Sequence, residues 1–163
     1  MSCAMVAKIA YQLKSFFEDT EKYARSSPVL KKSAHLSTIT FYKNYYRGLA
    51  YFNKGMELKK AAEDKGSEMG LAGGMIKMSM QLMKAAEKSA DSGTRGAIGV
   101  RLKQFKDEYD EIQLQLKNVY YESDASEKEL EGVSWECKNF TLYRSLESSL
   151  DAKYKNSEAF EIF

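Results

Sequence analysis

The chain has 163 residues, enough for one domain with a sizeable core. Its single proline, 44% apolar residues and 29% charged residues are typical of a packed helical protein, and its net charge of +2 gives no reason to expect nucleic acid or an acidic membrane as a direct partner. No apolar run approaches about 18 residues, so we expect no membrane span.

The start of the chain and its cysteines bear on location. Residues 1–13 contain Lys8 and lack the long apolar stretch of a signal peptide. Cys3 and Cys137 are far apart and have no metal-ligand spacing, which fits two lone thiols in a reducing compartment. We therefore expect a cytoplasmic protein.

Residues 3–24 are predicted to form the first helix. At about 100° per residue, one side of it collects the residues expected in the core, namely Val6, Ala10, Leu13, Phe17 and Ala24. Met5, Ile9 and Phe16 point about 80° away from the centre of that side. Either a second neighbour covers these three, or they form an exposed apolar patch that receives a helix of a partner.

A long helical hairpin is predicted over residues 28–90. Ser27 and Pro28 favour a helix start, because serine caps well and proline fits the first helical position. Two adjacent apolar stripes follow at helical spacing, Phe41, Tyr45, Leu49, Phe52, Met56 and Tyr42, Tyr46, Ala50. A face this wide indicates burial against more than one neighbour.

Gly66 is predicted to end the first helix of the hairpin, and the second helix again carries two apolar stripes. Gly66, Gly70 and Gly74 fall four residues apart. On a helix they would form a smooth strip that lets a neighbouring backbone approach. Alternatively they indicate a late helix start, since each interior glycine costs about 1 kcal/mol relative to alanine.

Residues 91–96 are predicted to form a loop, and a fourth helix is predicted from about residue 97 to residue 119. One narrow stripe indicates an outer helix with one buried face: Ile98, Leu102, Phe105, Tyr109, Ile112, Leu116 and Val119. A coiled-coil seam is the alternative, but the stretch is short. Gly93, Gly96 and Gly99 are a weak match to a phosphate loop, because no strand precedes them and no Gly-Lys-Ser/Thr follows.

Periodicity fades after Glu122. Residues 133–137 alternate in polarity and could lie extended over the helices, residues 140–154 could hold a short helix, and the last residues are expected to fray. The predicted fold is thus all-α, with tetratricopeptide-like hairpins of about four long helices in residues 1–121. An irregular or extended tail occupies residues 122–163.

No pattern typical of catalysis, a cofactor or a metal appears, so we do not expect an enzyme. His35 is the one histidine, and no second ligand accompanies it at metal-binding spacing. Glu18, Asp19 and Glu21 are interpreted as a solvated helix face and not as an acid/base pair. The aromatic residues fall mostly on helical stripes without a basic patch, which indicates core and not base stacking.

Five stretches, taken in order, resemble the C-terminal half of Bro domains, the family of ALIX, BROX and the yeast Bro proteins. Residues 5–10 (MVAKIA), followed by Phe16 and Phe17, are similar to the family's Ala-Lys helix. Residues 45–69 resemble its long helix with a charged turn, and residues 81–86 its next helix. Residues 117–121 are similar to the family's Asn followed closely by Ile-Tyr. Residues 132–140 resemble its strand-like segment.

The resemblance implies a curved, tetratricopeptide-like solenoid that binds the C-terminal amphipathic helix of an ESCRT-III subunit, a charged multivesicular body protein. It implies a peripheral, endosome-associated adaptor in the cytoplasm. The implied partner-binding residues are Met5 and Ile9, four apart on the Ala-Lys helix, and Tyr121 is implied in a loop interaction. Phe16, which shares their side of the helix by angle, is predicted to belong to the same binding patch. The resemblance covers only the C-terminal half of a Bro domain, and Asp124 and Ala125 stand where the family usually has a Pro-rich stretch.

Two other functions remain open from the sequence. A tetratricopeptide-like module could bind a different peptide in the groove of the central hairpin. A helical bundle could instead self-associate through exposed apolar stripes.

Overall fold

The structure, a computed structural model, describes residues 2–32 and 34–135. Within them, the following helices occur in chain order: α1 (Cys3–Ser26), a 3-10 turn (Leu30–Lys32), α2 (Ala34–Lys65), α3 (Met69–Lys88), α4 (Ser92–Gln115), a π-helical turn (Leu116–Tyr120) and α5 (Glu127–Glu131). The all-α fold with four long helices is therefore as predicted. The short helix and frayed end predicted beyond residue 135 lie outside the described residues, as does the rest of the 133–137 segment.

The first correction concerns the start of α2. The helix begins at Ala34 and not at Ser27 and Pro28. Ser27 instead ends α1, donating its N–H to the carbonyl of Tyr23, while its hydroxyl accepts the N–H of Leu30 at 3.4 Å. The capping serine thus starts only a single 3-10 turn, which separates the two long helices.

α2 lies at the centre of the fold, packed between α1 and α3. On the α3 side, Gly48 and Gly55 let the two helices approach closely. A Cβ atom at Gly55 would lie 2.6 Å from the side chain of Ile76, and one at Gly48 would lie 3.2 Å from the methyl group of Met83. The prediction that α2 is buried against more than one neighbour is confirmed.

α4 packs on α3 and also reaches α2. The rings of Phe52 and Phe105 stack with their centroids 4.0 Å apart. About two turns further along α2, the ammonium of Lys59 lies 3.2 Å from Glu108 and 3.0 Å from Glu111. Burial would lower the pKa of Lys59, but hydrogen bonds to these carboxylates outweigh it and raise that pKa.

The predicted stripe of α4 faces the core at Ile98, Phe105, Ile112 and Leu116, which are all buried. Val119 is the exception, with 64% of its surface exposed. The π-helical turn Leu116–Tyr120 explains this, because its wider turn shifts the following residues out of the helical register.

The start of α4 is the second correction, since residues 91–96 were predicted to be a loop. Asp91 caps the helix, its carboxylate accepting the N–H of Thr94 at 2.8 Å, so that helix forms from Ser92 despite two glycines. The weakly matching glycines of the phosphate-loop interpretation are therefore helical residues.

The glycines at the start of α3 satisfy both alternatives that the sequence left open. Gly66 is in the left-handed conformation, with φ of 75°, and α3 starts late, at Met69. Gly70 and Gly74, joined by Gly73, then form a smooth strip inside the helix. Residues 122–125, here called the strap, lie on it so closely that a Cβ atom at Gly74 would be 2.7 Å from the carbonyl of Ala125.

None of the helices in the described residues is both long enough and apolar enough to cross a lipid bilayer.

Candidate partner-binding face

α1 buries one side and exposes the other. Its buried side carries small residues, Ala7, Ala10 and Ala24, which are at most 4% exposed and let the helix lie close to α2. The hydroxyl of Ser2 caps the helix by accepting the N–H of Met5 at 3.4 Å. Starting the helix at Cys3 fixes which residues of its first two turns face away from α2.

An apolar row runs along the exposed side, and we call it the outer stripe: Met5, Ile9, Phe16 and Tyr23. Met5 is 48% exposed, Phe16 43% and Tyr23 72%, while Ile9 is half-buried. At about 100° per residue, the four positions fall within about 40° of one another. Of the two sequence alternatives, the described residues therefore favour the exposed patch over full coverage by a second neighbour.

A block of aromatic rings supports the middle of the outer stripe. Phe16 meets Phe17 edge to face at 5.3 Å, and Phe17 stacks against Tyr42 at 5.3 Å and Tyr46 at 5.7 Å. Burial, reinforced by Tyr42 and Tyr45, raises the pKa of Tyr46, so this phenol stays neutral at physiological pH. Interlocked rings of this kind hold Phe16 on a firm support.

Further along the α1–α2 contact, Glu21 corrects another prediction. It was assigned to a solvated face with Glu18 and Asp19, yet it is only 7% exposed. Its carboxylate accepts hydrogen bonds from Lys43 at 2.5 Å, from Arg25 at 2.8 Å and from Thr40 at 2.8 Å. Burial alone would raise the pKa of Glu21, but these donors outweigh it and lower that pKa to about 2.

No protein-family model, curated protein or solved structure matches this chain. The resemblance to Bro domains therefore rests on the sequence stretches named above alone.

The chain itself covers a different side of the α1–α2 pair. The indole of Trp135 stacks on Tyr11 of α1 at 4.4 Å and contacts Tyr51 of α2 at 5.2 Å. Tyr11 lies well over 90° around α1 from the outer stripe at 100° per residue. A ligand on the Tyr11–Tyr51 side would have to displace Trp135, whereas Met5 and Phe16 remain exposed.

Tyr121 lies apart from the outer stripe. It follows the π-helical turn at the end of α4 in the left-handed conformation, with φ of 55°, and is 84% exposed. Among the described residues, no ring contact or hydrogen bond joins it to α1. The structure thus brings Met5, Ile9 and Phe16 together and leaves Tyr121 as a separate exposed residue.

The metal-ligating residue types form no centre in the described part of the chain, where no group of three or more His, Cys, Asp or Glu lies together. His35 is exposed at the first turn of α2, and Cys3 is an exposed free thiol.

Sequence reasoning missed two residues of this region. Tyr23 belongs to the outer stripe, and its helical angle, the same as that of Met5, was the available signal. The burial of Glu21 had no such signal, because it depends on donors that α2 supplies from about twenty residues further along the chain.

Proposed function

We propose that this protein is a Bro-like adaptor whose outer stripe binds the C-terminal amphipathic helix of an ESCRT-III subunit, and that this contact recruits it to endosomal membranes. The observation that carries the proposal is the exposure of Met5 and Phe16 in one apolar row with Ile9. The family resemblance assigns partner binding to two of these positions, Met5 and Ile9, and Phe16 joins them by its angle on the helix.

The dimensions of the outer stripe support a helical ligand. From Met5 to Tyr23 the stripe extends about 27 Å along α1, at about 1.5 Å per residue. A partner helix of about five turns would match that length, with apolar anchors spaced three or four residues apart. The supporting aromatic block reduces the ordering that binding would require.

A ligand in the groove of the central hairpin is less well supported. The stretches where α2 meets α3 contain Gly48, Gly55, Met75, Ile76 and Met83, all buried by contacts between the two helices. On the neighbouring side of α2, Trp135 already contacts Tyr51.

The test is a titration of a labelled peptide of the ESCRT-III C-terminal helix against the parent protein and two variants, Ile9→Asp and Met5→Asp. We expect each carboxylate to weaken binding by at least about tenfold, since burying a charge in an apolar contact costs several kcal/mol. Met5→Asp guards against misfolding, because Met5 is exposed and an acidic residue is favourable in the first turn of a helix.

Leu114→Asp is the matched control, since Leu114 is also an exposed apolar residue, at 63%, but lies on α4. It should bind the peptide like the parent. Equal binding by all four proteins would place the ligand elsewhere, and no binding by the folded parent would refute the proposal.

A further inference from the structure

Although the net charge of the chain is small, its basic and acidic residues are strongly segregated along the sequence. No aspartate or glutamate occurs between Lys22 and Met56, a stretch that carries Lys22, Arg25, Lys31, Lys32, Lys43, Arg47 and Lys54. Acidic residues concentrate instead in the second half of α4 and beyond it: Asp107, Glu108, Asp110, Glu111, Glu122, Asp124, Glu127, Glu129 and Glu131.

The antiparallel order of the helices turns this pattern into a difference between the two ends of the molecule. The link from α1 to α2 and the link from α3 to α4 lie at the same end, because Glu21 meets Lys43 across one helix pair and Gly48 meets Met83 across the next. Exposed cations lie in and beside both links, and we call this group of residues the basic end: Lys22, Arg25, Lys31, Lys84, Lys88 and Arg95.

Few acidic groups oppose these cations. Glu21 is buried and already shared between Arg25 and Lys43. Glu18 pairs with Lys14 at 2.8 Å, Asp19 pairs with Lys22 at 3.5 Å, and Asp91 caps α4. Glu87 is the remaining carboxylate of this end within the described residues. The basic end therefore keeps an excess of positive charge towards solvent.

Apolar side chains project at the same end. Val29, in the link after α1, is 80% exposed, and Tyr23, in the last turns of α1, is 72% exposed. A branched aliphatic residue and a tyrosine beside exposed lysines are the combination that enters the headgroup region of a lipid bilayer, with the rings and aliphatic groups below the charges.

We propose that the basic end contacts an anionic membrane surface directly, through its cations and Val29 and without the partner of the outer stripe, with which it shares only Tyr23. Lysine and arginine side chains attract anionic headgroups, and Val29 enters the interface between them. The acidic residues at the far end of α4 and in α5 are repelled by anionic headgroups. The opposite end of the molecule therefore faces away from the membrane surface. RNA is less favoured, because single-stranded sites combine basic grooves with several stacking aromatics, and Val29 provides no stacking surface.

The test is co-sedimentation of the full chain with phosphatidylcholine vesicles that contain about one third phosphatidylserine. The parent should bind these vesicles at low salt, should not bind pure phosphatidylcholine vesicles, and should dissociate as salt shortens the Debye length. Reversing one lysine near each link, in the double variant Lys31→Glu/Lys84→Glu, should weaken the partition coefficient by at least about 25-fold, at about fivefold for each cation removed.

Lys117→Glu/Lys128→Glu is the matched control, because it makes the same charge change on exposed lysines outside the basic end. Its partition coefficient should be within about twofold of that of the parent. A charge change far from the membrane is screened by salt and should have little effect on binding. Val29→Ser should weaken binding about threefold or more, since it removes an apolar contact of a few methyl groups.

Equal loss in both double variants would overturn the proposal, because binding would then follow net charge and not the basic end. Absence of parent binding to anionic vesicles at low salt would also overturn it. So would tighter binding of a single-stranded RNA homopolymer than of vesicles at matched salt, which would assign the basic end to nucleic acid.

Discussion

Glu21 shows how a single side chain can join two helices. An exposed ion pair contributes little to stability, but Glu21 is almost fully buried and receives three donors, two of them charged. Its position on α1 looks solvated in the sequence, where it follows Glu18 and Asp19. Only the docking of α2, which supplies Thr40 and Lys43, makes it a core residue, so no local pattern could predict it.

The depressed pKa of Glu21 makes a prediction about pH. Because the folded pKa is about 2 and the ordinary value is 4.5, the contribution is fully present above about pH 5 and declines as pH falls from there towards 2. It amounts to about 3 kcal/mol near neutral pH. We expect the free energy of unfolding, measured with urea, to fall more steeply between about pH 5 and pH 2, the range of this titration, in the parent than in Glu21→Gln.

At neutral pH, Glu21→Gln should also be the less stable protein, because Lys43 loses its charged partner in a partly buried site. Parallel pH profiles for the two proteins would contradict this role of Glu21.

At the scale of whole elements, the strap (residues 122–125) connects α3 to the end of α4. The carboxylate of Asp124 accepts hydrogen bonds from Tyr109 at 2.6 Å and from Gln113 at 2.7 Å. The carboxylate of Glu122 accepts the N–H groups of Glu68 and Gly70, which caps the start of α3. Burial and the bond to Asp124 raise the pKa of Tyr109, so the phenol remains a donor throughout the physiological range.

The glycine strip under the strap gives a prediction at this scale. Gly73→Ala should destabilise the protein by about 1–3 kcal/mol, because the new methyl group meets the carboxylate of Asp124 and lies 3.2 Å from Leu116. Gly99→Ala is the control, since nothing lies within 4 Å of its added Cβ. That change should stabilise α4 by up to about 1 kcal/mol. Urea denaturation measures the free energy of unfolding of both variants. If Gly73→Ala were as stable as Gly99→Ala, the strap would move aside without a cost in stability, which would contradict the prediction.

Helices were the predictable part of this fold, together with some of their ends, since α1 begins at Cys3 and α2 ends just before Gly66, as predicted. Apolar spacing over five or more turns located α1, α2, α3 and the buried face of α4. The errors fell at Ser27 and at residues 91–96, where two capping residues had opposite outcomes. Ser27 caps a 3-10 turn and Asp91 caps a full helix, and the difference depends on the packing that follows each cap. Short local signals of about 1 kcal/mol each do not decide between such outcomes.

The outer stripe was predictable for the same reason as the helices, since Met5, Ile9 and Phe16 diverge from the core side by angle alone. Charge segregation between the two ends was not, because a net charge of +2 carries no information about position. It becomes visible only when the hairpins place the α1–α2 and α3–α4 links together. The distribution of charge over the whole molecule could therefore not be predicted before the topology was known.

The outer stripe and the basic end share only Tyr23, so we expect substitutions at their other residues to remove the two functions independently. Ile9→Asp should lose binding to the ESCRT-III peptide and keep binding to anionic vesicles. Lys31→Glu/Lys84→Glu should do the reverse, because its substitutions lie outside the apolar row that binds the peptide. Both activities measured on both variants check this, and joint loss in either folded variant would contradict two separate surfaces.

The most direct test of the central claim uses the methionines as probes. With methyl-labelled methionine, the signal of Met5 reports on the outer stripe, whereas Met69, Met75 and Met83 are fully buried. On adding the ESCRT-III helix peptide, we expect the Met5 methyl signal to shift and these three buried signals to stay in place. Shifts confined to Met56 and Met80, which pack beside the hairpin core, or no shift of Met5 at a saturating peptide concentration, would contradict binding at the outer stripe.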